Sequence, residues 1–186
     1  MPRVMIAHML GGEAGDQIDE LRARFDPKTA SAIDSHVTVA GPYDSEVHAS
    51  EYAPVIAQLA RDRHPFTIRL RGIDCFLPAS KTVFVSIEDG GALTQLNAHL
   101  LQKLGWKNEF PYRPHATISE YLDETNTREA CELLQTVAID IEYTLTSLSL
   151  LQKGKDGKWE LIKAFVFRSA GCSKPSTRKT RQTKKN

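Results

Sequence analysis

His36-Val37-Thr38-Val39 and Pro114-His115-Ala116-Thr117-Ile118 decide how this chain is read. Each phrase sets a histidine and a threonine two positions apart, with apolar residues between and after them. Side chains alternate along a strand, so each phrase predicts a strand with its polar pair on one face and its apolar pair on the other. The His and Thr Cα atoms then lie about 6–7 Å apart on that face, within reach of one small anion. Asp34 shares the polar face of the first strand and Ser119 that of the second. A third phrase, His48-Ala49-Ser50, leads into a helical pattern and reads as loop and helix cap.

Outward from these strands the pattern runs twice. Val4 to Met9 predicts a strand. Ile18, Leu21 and Phe25 predict a helix ended by Asp26-Pro27, and the His36 strand follows. Tyr52, Val55, Ile56 and Leu59 predict a second helix, with Ser50 as its N-cap. Phe66, Ile68 and Leu70 alternate in a strand, as do Val83, Val85 and Ile87, with a turn at Pro78-Ala79-Ser80 between them. Leu93, Leu96, Leu100 and Leu104 form a helical stripe that Gly105 terminates, and the His115 strand comes next. Ala130, Leu133, Leu134 and Val137 predict a fourth helix. Ile141–Leu151 and Trp159–Phe167 predict the two strands of a closing hairpin.

Val4 precedes His36 by 32 positions, and Val83 precedes His115 by the same 32. Both halves therefore spell strand, helix, histidine strand, helix, strand. That order predicts a pseudo-symmetric molecule in which each half brings one histidine strand to a shared cleft. Strands interleaved with helices can form a parallel sheet, but the hairpin segments predict antiparallel pairing and an α+β class.

Size and composition bound the rest. A chain of 186 residues fits one domain, expected over 1–168, with 169–186 as a separate tail. An apolar share of 41% supports a packed core, and no apolar run is long enough to span a bilayer. The N-terminal run lacks the apolar core of a signal peptide and reads as a first strand, so a cytoplasmic location is expected. Cys75, Cys131 and Cys172 are far apart in sequence, so neither a disulfide framework nor a metal site is expected. From Lys174 onward the tail carries six basic residues and no acidic one, which leaves the remainder of the chain net negative. Its composition predicts disorder, either as a plain solvated tail or as a weak tether for nucleic acid.

Two imidazoles suit phosphodiester chemistry because their ordinary pKa lies near neutrality. One takes a proton from the attacking oxygen while the other gives one to the departing oxygen. Thr38 and Thr117 would donate to the non-bridging oxygens, where charge gathers. There is no Gly-rich phosphate loop and no carboxylate cluster for magnesium, so no cofactor is expected.

At these residues the chain resembles the 2H phosphoesterase superfamily, which includes the 2′-5′ RNA ligases and 2′,3′-cyclic phosphodiesterases. The resemblance rests on the two His-x-Thr phrases in this order and spacing, and runs from about Val4 to Phe167. It implies a bilobal, pseudo-two-fold fold with two antiparallel sheets lining a central cleft and helices outside. It implies metal-independent action on cyclic phosphates or 2′-5′ linkages of an RNA end or small nucleotide. His36 and His115 would be the acid–base pair, and Thr38 and Thr117 the phosphate binders. The basic residue that the ligase branch often carries five positions after the second histidine is Glu120 here, so Arg113 and Lys81 are the candidate substitutes. Tyr43, Tyr112, Tyr121 and Phe110 are candidates to stack on a base. Hydrolysis of the cyclic ester, 2′-5′ ligation, and non-catalytic RNA or nucleotide binding remain the three readings.

Overall fold

The computed structural model describes residues 1–120 and 122–168. Tyr121, Cys172 and the basic tail lie outside the described residues. Among the described residues eight strands form one antiparallel sheet: β1 (Arg3–Met9), β2 (His36–Asp44), β3 (Phe66–Cys75), β4 (Val83–Glu88), β5 (His115–Ser119), β6 (Asp140–Leu145), β7 (Ser147–Lys153) and β8 (Trp159–Val166). Their order is β6-β3-β4-β5-β2-β1-β7-β8. The helices are α1 (Gly12–Phe25), α2 (Pro27–Ala30), α3 (Ala53–Arg61), α4 (Ala92–Leu104) and α5 (Glu124–Leu134).

The two histidine strands are the innermost pair. They are joined through one register pair, Val37↔Ala116, with four strands on each side counting themselves. The expected two antiparallel sheets are thus two four-stranded halves stitched into one at this seam. The strand order is symmetric about the seam, but the chain is not divided evenly by it. The last strand of the first half, β3, sits beside β4 and β6 in the opposite half, and β7 takes the matching place beside β1.

The stretch Ile141–Leu151, expected as one strand, is two. β6 pairs with β3 at one end of the order, and β7 pairs with β1 and β8 near the other. Thr146 alone separates them. Consecutive Cα atoms are about 3.8 Å apart, so the sheet must curl until its two ends meet at this residue. Apolar residues alternate as Ile141, Tyr143 and Leu145 before the junction and as Leu148 and Leu150 after it, so the phase of the alternation shifts by one residue where the strand changes partners.

The apolar faces of the histidine strands make the core. Val37, Val39, Ala116 and Ile118 are fully buried with Ile18 of α1 and Leu93, Leu96 and Leu100 of α4. Gly105 closes α4 in the left-handed conformation, as its position predicts. Other details differ from the sequence reading. Asp26-Pro27 ends α1 but also starts α2, with Asp26 as N-cap and Pro27 at the first helical position. Ser50 is not the cap of α3; Ala49–Tyr52 forms a 3₁₀ turn in which His48 Nδ1 accepts from the Ser50 N–H at 3.2 Å. On α5 the buried stripe is Thr127, Ala130, Cys131 and Leu134, while Leu133 and Val137 are exposed.

Gly41 shapes the end of the first histidine strand. It has φ +103°, and a Cβ there would lie 2.8 Å from the Val4 carbonyl oxygen of β1. Gly41→Ala is therefore expected to cost roughly 1–3 kcal/mol for the backbone conformation alone, and more for the contact with β1. A thermal melt checks this: the midpoint should fall by several degrees.

Candidate active site

The seam brings the two phrases together. Antiparallel register through Val37↔Ala116, continued one residue each way, sets His36 across from Thr117 and Thr38 across from His115. Directly opposed residues have Cβ atoms about 4.5–5.5 Å apart and diagonal ones about 7–8 Å. The two histidines occupy one diagonal of this square and the two threonines the other. The burial pattern agrees, with His36 and Thr38 partly open on β2 while Val37 and Val39 are closed.

Both rings are seated alike. His36 Nδ1 lies 2.8 Å from the Asp34 carbonyl oxygen, and His115 Nδ1 lies 2.7 Å from that of Arg113. A carbonyl oxygen only accepts, so each Nδ1 carries the proton and each Nε2 keeps its lone pair. This places the proton-exchanging nitrogen away from the seat in both phrases.

The surroundings of the two rings differ. His36, Thr38 and Thr117 line a cavity of about 360 Å³. Its wall also carries Arg3, Arg22, Lys28, Lys153 and Lys158 against Glu120 and Asp156, so cations outnumber carboxylates and the cavity favours an anion. His115 is not among the lining residues. It is held by the edges of Phe76 and Phe84, at ring centroid distances of 5.0 and 5.3 Å.

Burial, then the nearby Arg22 charge and His115, push the His36 pKa down to about 4. Burial and the Arg113 charge lower that of His115. Both rings are thus neutral at pH 7 without an anion. An anion between them favours the protonated form, so its binding takes up a proton and strengthens as pH falls. Sulfate, whose charge is constant here, is expected to raise the melting temperature more at pH 5.5 than at pH 7.5. Equal shifts at both pH values would mean that the rings do not face the anion.

Arg22 was not singled out by sequence, where it is one more basic residue on a helix. Its side chain is fully buried and lines the cavity. The guanidinium donates to the carbonyls of Thr117 at 3.2 Å, Thr29 at 3.3 Å and Ile33. Its Nε lies 3.3 Å from Asp19. It thereby ties α1 and the segment before β2 to the second histidine strand. Trp159 was also missed. It lines the cavity, and its backbone N–H donates to the Ala32 carbonyl at 2.9 Å.

The other sequence candidates stand elsewhere. Tyr43 donates to Asn108, which donates to Asn97, which donates to the Val39 carbonyl, a chain with distances of 2.7, 2.9 and 2.8 Å. Tyr112 donates to the Thr38 carbonyl at 2.8 Å. Both tyrosines thus brace β2, and neither lines the cavity. Arg113 pairs with Asp74 at 2.9 Å and lies over Phe84, 4.8 Å from its centroid. Lys81 is exposed in the connection between β3 and β4. Neither cation is among the lining residues. Phe110 is exposed in the loop before β5. Glu120 is part of the wall, and withdrawal from water together with the Asp26 carboxylate raises its pKa.

A family model described as the 2′-5′ RNA ligase superfamily matches residues 11–157. A Bacillus pumilus protein named "Putative phosphoesterase" is 25% identical over 158 residues, which covers 84% of this chain and 92% of the relative. A Halalkalibacterium halodurans protein of the same designation is 27% identical over 152 residues, covering 81% and 88%. Among solved structures, a Thermus thermophilus protein is similar at TM-score 0.65 and 19% identity, over 90% of this chain and 99% of its own. Escherichia coli LigT complexed with 3′-AMP is similar at TM-score 0.65 and 20% identity, over 89% and 98%. Likeness at these identities establishes a shared fold. No helix among the described residues is long and apolar enough to cross a membrane.

Proposed function

The chain belongs to the 2′-5′ RNA ligase superfamily, and on that premise we propose that it is a phosphoesterase that opens a 2′,3′-cyclic phosphate, or a related cyclic or 2′-5′ phosphodiester, of RNA or a nucleotide. The observation that carries this reading is the matched seating of His36 and His115. Two strands meet in a register that puts each imidazole across from the other phrase's threonine, and each Nδ1 is held by the carbonyl two residues before it. The cation-rich wall beside them supports a phosphate ligand. That LigT has been solved with 3′-AMP supports a nucleotide as the ligand class.

In the reaction, one Nε2 takes the proton of an attacking water as its oxygen bonds to phosphorus. The other imidazole, protonated on binding the anion, gives its proton to the ribose oxygen as the P–O bond breaks. The product is a phosphate monoester, and the two rings have exchanged protonation states. Thr38 and Thr117 donate to the non-bridging oxygens, where charge develops. No step draws on a metal. Attack by a 5′-hydroxyl in place of water would instead join two ends through a 2′-5′ linkage. Glu120 in the cavity wall weighs toward hydrolysis, because joining must seat a second polyanionic end beside that carboxyl group.

The test is turnover of 2′,3′-cyclic nucleotides and of an RNA ending in a cyclic phosphate, by the full chain in EDTA. Metal-independent release of a monoester is expected, and mapping the product as 2′- or 3′-phosphate identifies the leaving oxygen. A well-folded chain that turns over none of these but binds RNA in a salt-dependent manner would overturn the reading in favour of a binding module.

A further inference from the structure

Cys75 and Cys131 are 56 positions apart in sequence, a spacing that predicts neither a disulfide framework nor a metal site. The fold brings them together. Cys75 closes β3, and Cys131 lies on the buried face of α5, 4% exposed. Their sulfurs and a carboxylate oxygen of Asp74 all lie within 4.8 Å of one another. Among the described residues this is the one cluster of three such groups.

The dimensions and donors suit one class of guest. Zinc binds thiolate at about 2.3 Å and carboxylate at about 2.0–2.2 Å, usually in a tetrahedron. Two sulfurs on one zinc are then about 3.8 Å apart, a separation within the present limit. Two thiolates and a carboxylate select a thiophilic divalent cation over magnesium or calcium. The carboxylate can serve without giving up its present partners entirely. Asp74 Oδ2 accepts from Arg113 at 2.9 Å, while Oδ1 accepts from the Cys75 N–H at 2.8 Å. An outer-shell cation partner of this kind orients a ligand and offsets its charge. Gln135 Nε2, 3.7 Å from Cys131 Sγ, is placed to donate to the second sulfur.

We propose that Cys75, Cys131 and Asp74 form a binding site for a thiophilic divalent cation of the zinc type, which clips β3 to α5. On binding, two S–M bonds and one O–M bond form and two thiol protons pass to solvent. A fourth position is left for water. The site is separate from the histidine pair but stands one ion pair from it, since Asp74 holds the Arg113 side chain and the Arg113 carbonyl seats His115.

The test uses the full chain, reduced, stripped with EDTA and desalted, and titrated with Cd²⁺ while the thiolate-to-cadmium absorption is followed. One equivalent should saturate a band of two-thiolate intensity, and Zn²⁺ should compete it away. Cys75→Ser and Cys131→Ala should each weaken binding by more than about 100-fold, beyond the cost of losing an outer-shell partner. Cys131→Ser is the alternative where the alanine variant fails to fold. Asp74→Asn, which removes the charged oxygen ligand, should weaken binding by at least the roughly 10-fold that loss of an outer-shell partner costs, and Cys172→Ser should leave it unchanged. Absence of a saturable band, or a full band in the Cys131 variant, overturns the proposal. So does a chain that takes up no cation but forms a Cys75–Cys131 disulfide with diamide, which would make the pair a redox site. The readout is absorbance rather than turnover, so it stands or falls apart from the phosphoesterase reading.

Discussion

His36→Asn and His115→Asn are each expected to lower kcat for opening a 2′,3′-cyclic nucleotide by roughly 10²–10⁴, the range for loss of a positioned general acid or base. Asparagine tests the chemistry more cleanly than alanine. Its amide N–H can still donate to the Asp34 or Arg113 carbonyl, which now lies 2.8 or 2.7 Å from the imidazole Nδ1. What is lost is Nε2, and with it the proton exchange. Melting temperatures should therefore stay near that of the unaltered chain while the rate collapses. The double variant should lose little more than the worse single one, because an acid and a base that act in one step are not additive. If either single variant melts cooperatively and keeps its turnover, that imidazole has no part in the reaction.

Arg22→Met is expected to carry the largest stability cost of any substitution near the cavity. The guanidinium is buried and donates to the carbonyls of Thr117, Thr29 and Ile33 beside Asp19. Removing it strands those acceptors and an acidic partner. Stranding a buried acceptor costs about 1–3 kcal/mol, against a total stability of about 5–15 kcal/mol for a typical domain. Arg22→Lys should recover only part of this, because an ammonium keeps the charge but cannot spread donors over three separate carbonyls. Urea unfolding followed by circular dichroism reads both variants. A midpoint for Arg22→Met within error of the unaltered chain would show that these bonds contribute little net stability. The same variant should also weaken sulfate binding, because a cation leaves the cavity wall.

The candidate site was legible in part because strand alternation is a local property. Period two alone puts His36 with Thr38 and His115 with Thr117; on β2 the buried Val37 and Val39 mark the closed face, while on β5 Thr117 and Ser119 are buried as well as Ala116 and Ile118. The repeated order of elements was legible for the same reason. Arg22 and Trp159 were not, since nothing near them in sequence marks one arginine on a helix or one tryptophan after a turn as lining a cavity. Tyr43 and Tyr112 carried a stacking expectation because aromatics beside a motif suggest it, yet their hydroxyls brace β2 through Asn108 and the Thr38 carbonyl. Helical periodicity likewise placed Leu133 and Val137 on the buried stripe, but the true stripe turns toward Thr127 and Cys131. The run from Ile141 to Leu151 is apolar enough to read as one strand, yet its alternation shifts phase where it changes partners at Thr146.

From its own order of residues, then, this chain determines which side chains share a face, where helices and strands begin again, and that two imidazoles each have a hydroxyl neighbour. Those facts follow from backbone geometry over a few residues. Tertiary structure alone decides that β3 crosses to the other half, that the seam sets each histidine opposite the other threonine, that one arginine is bonded beneath them, and that two distant cysteines meet. Pairing partners and burial depend on which surfaces exclude water together, and that is settled only when the whole sheet closes.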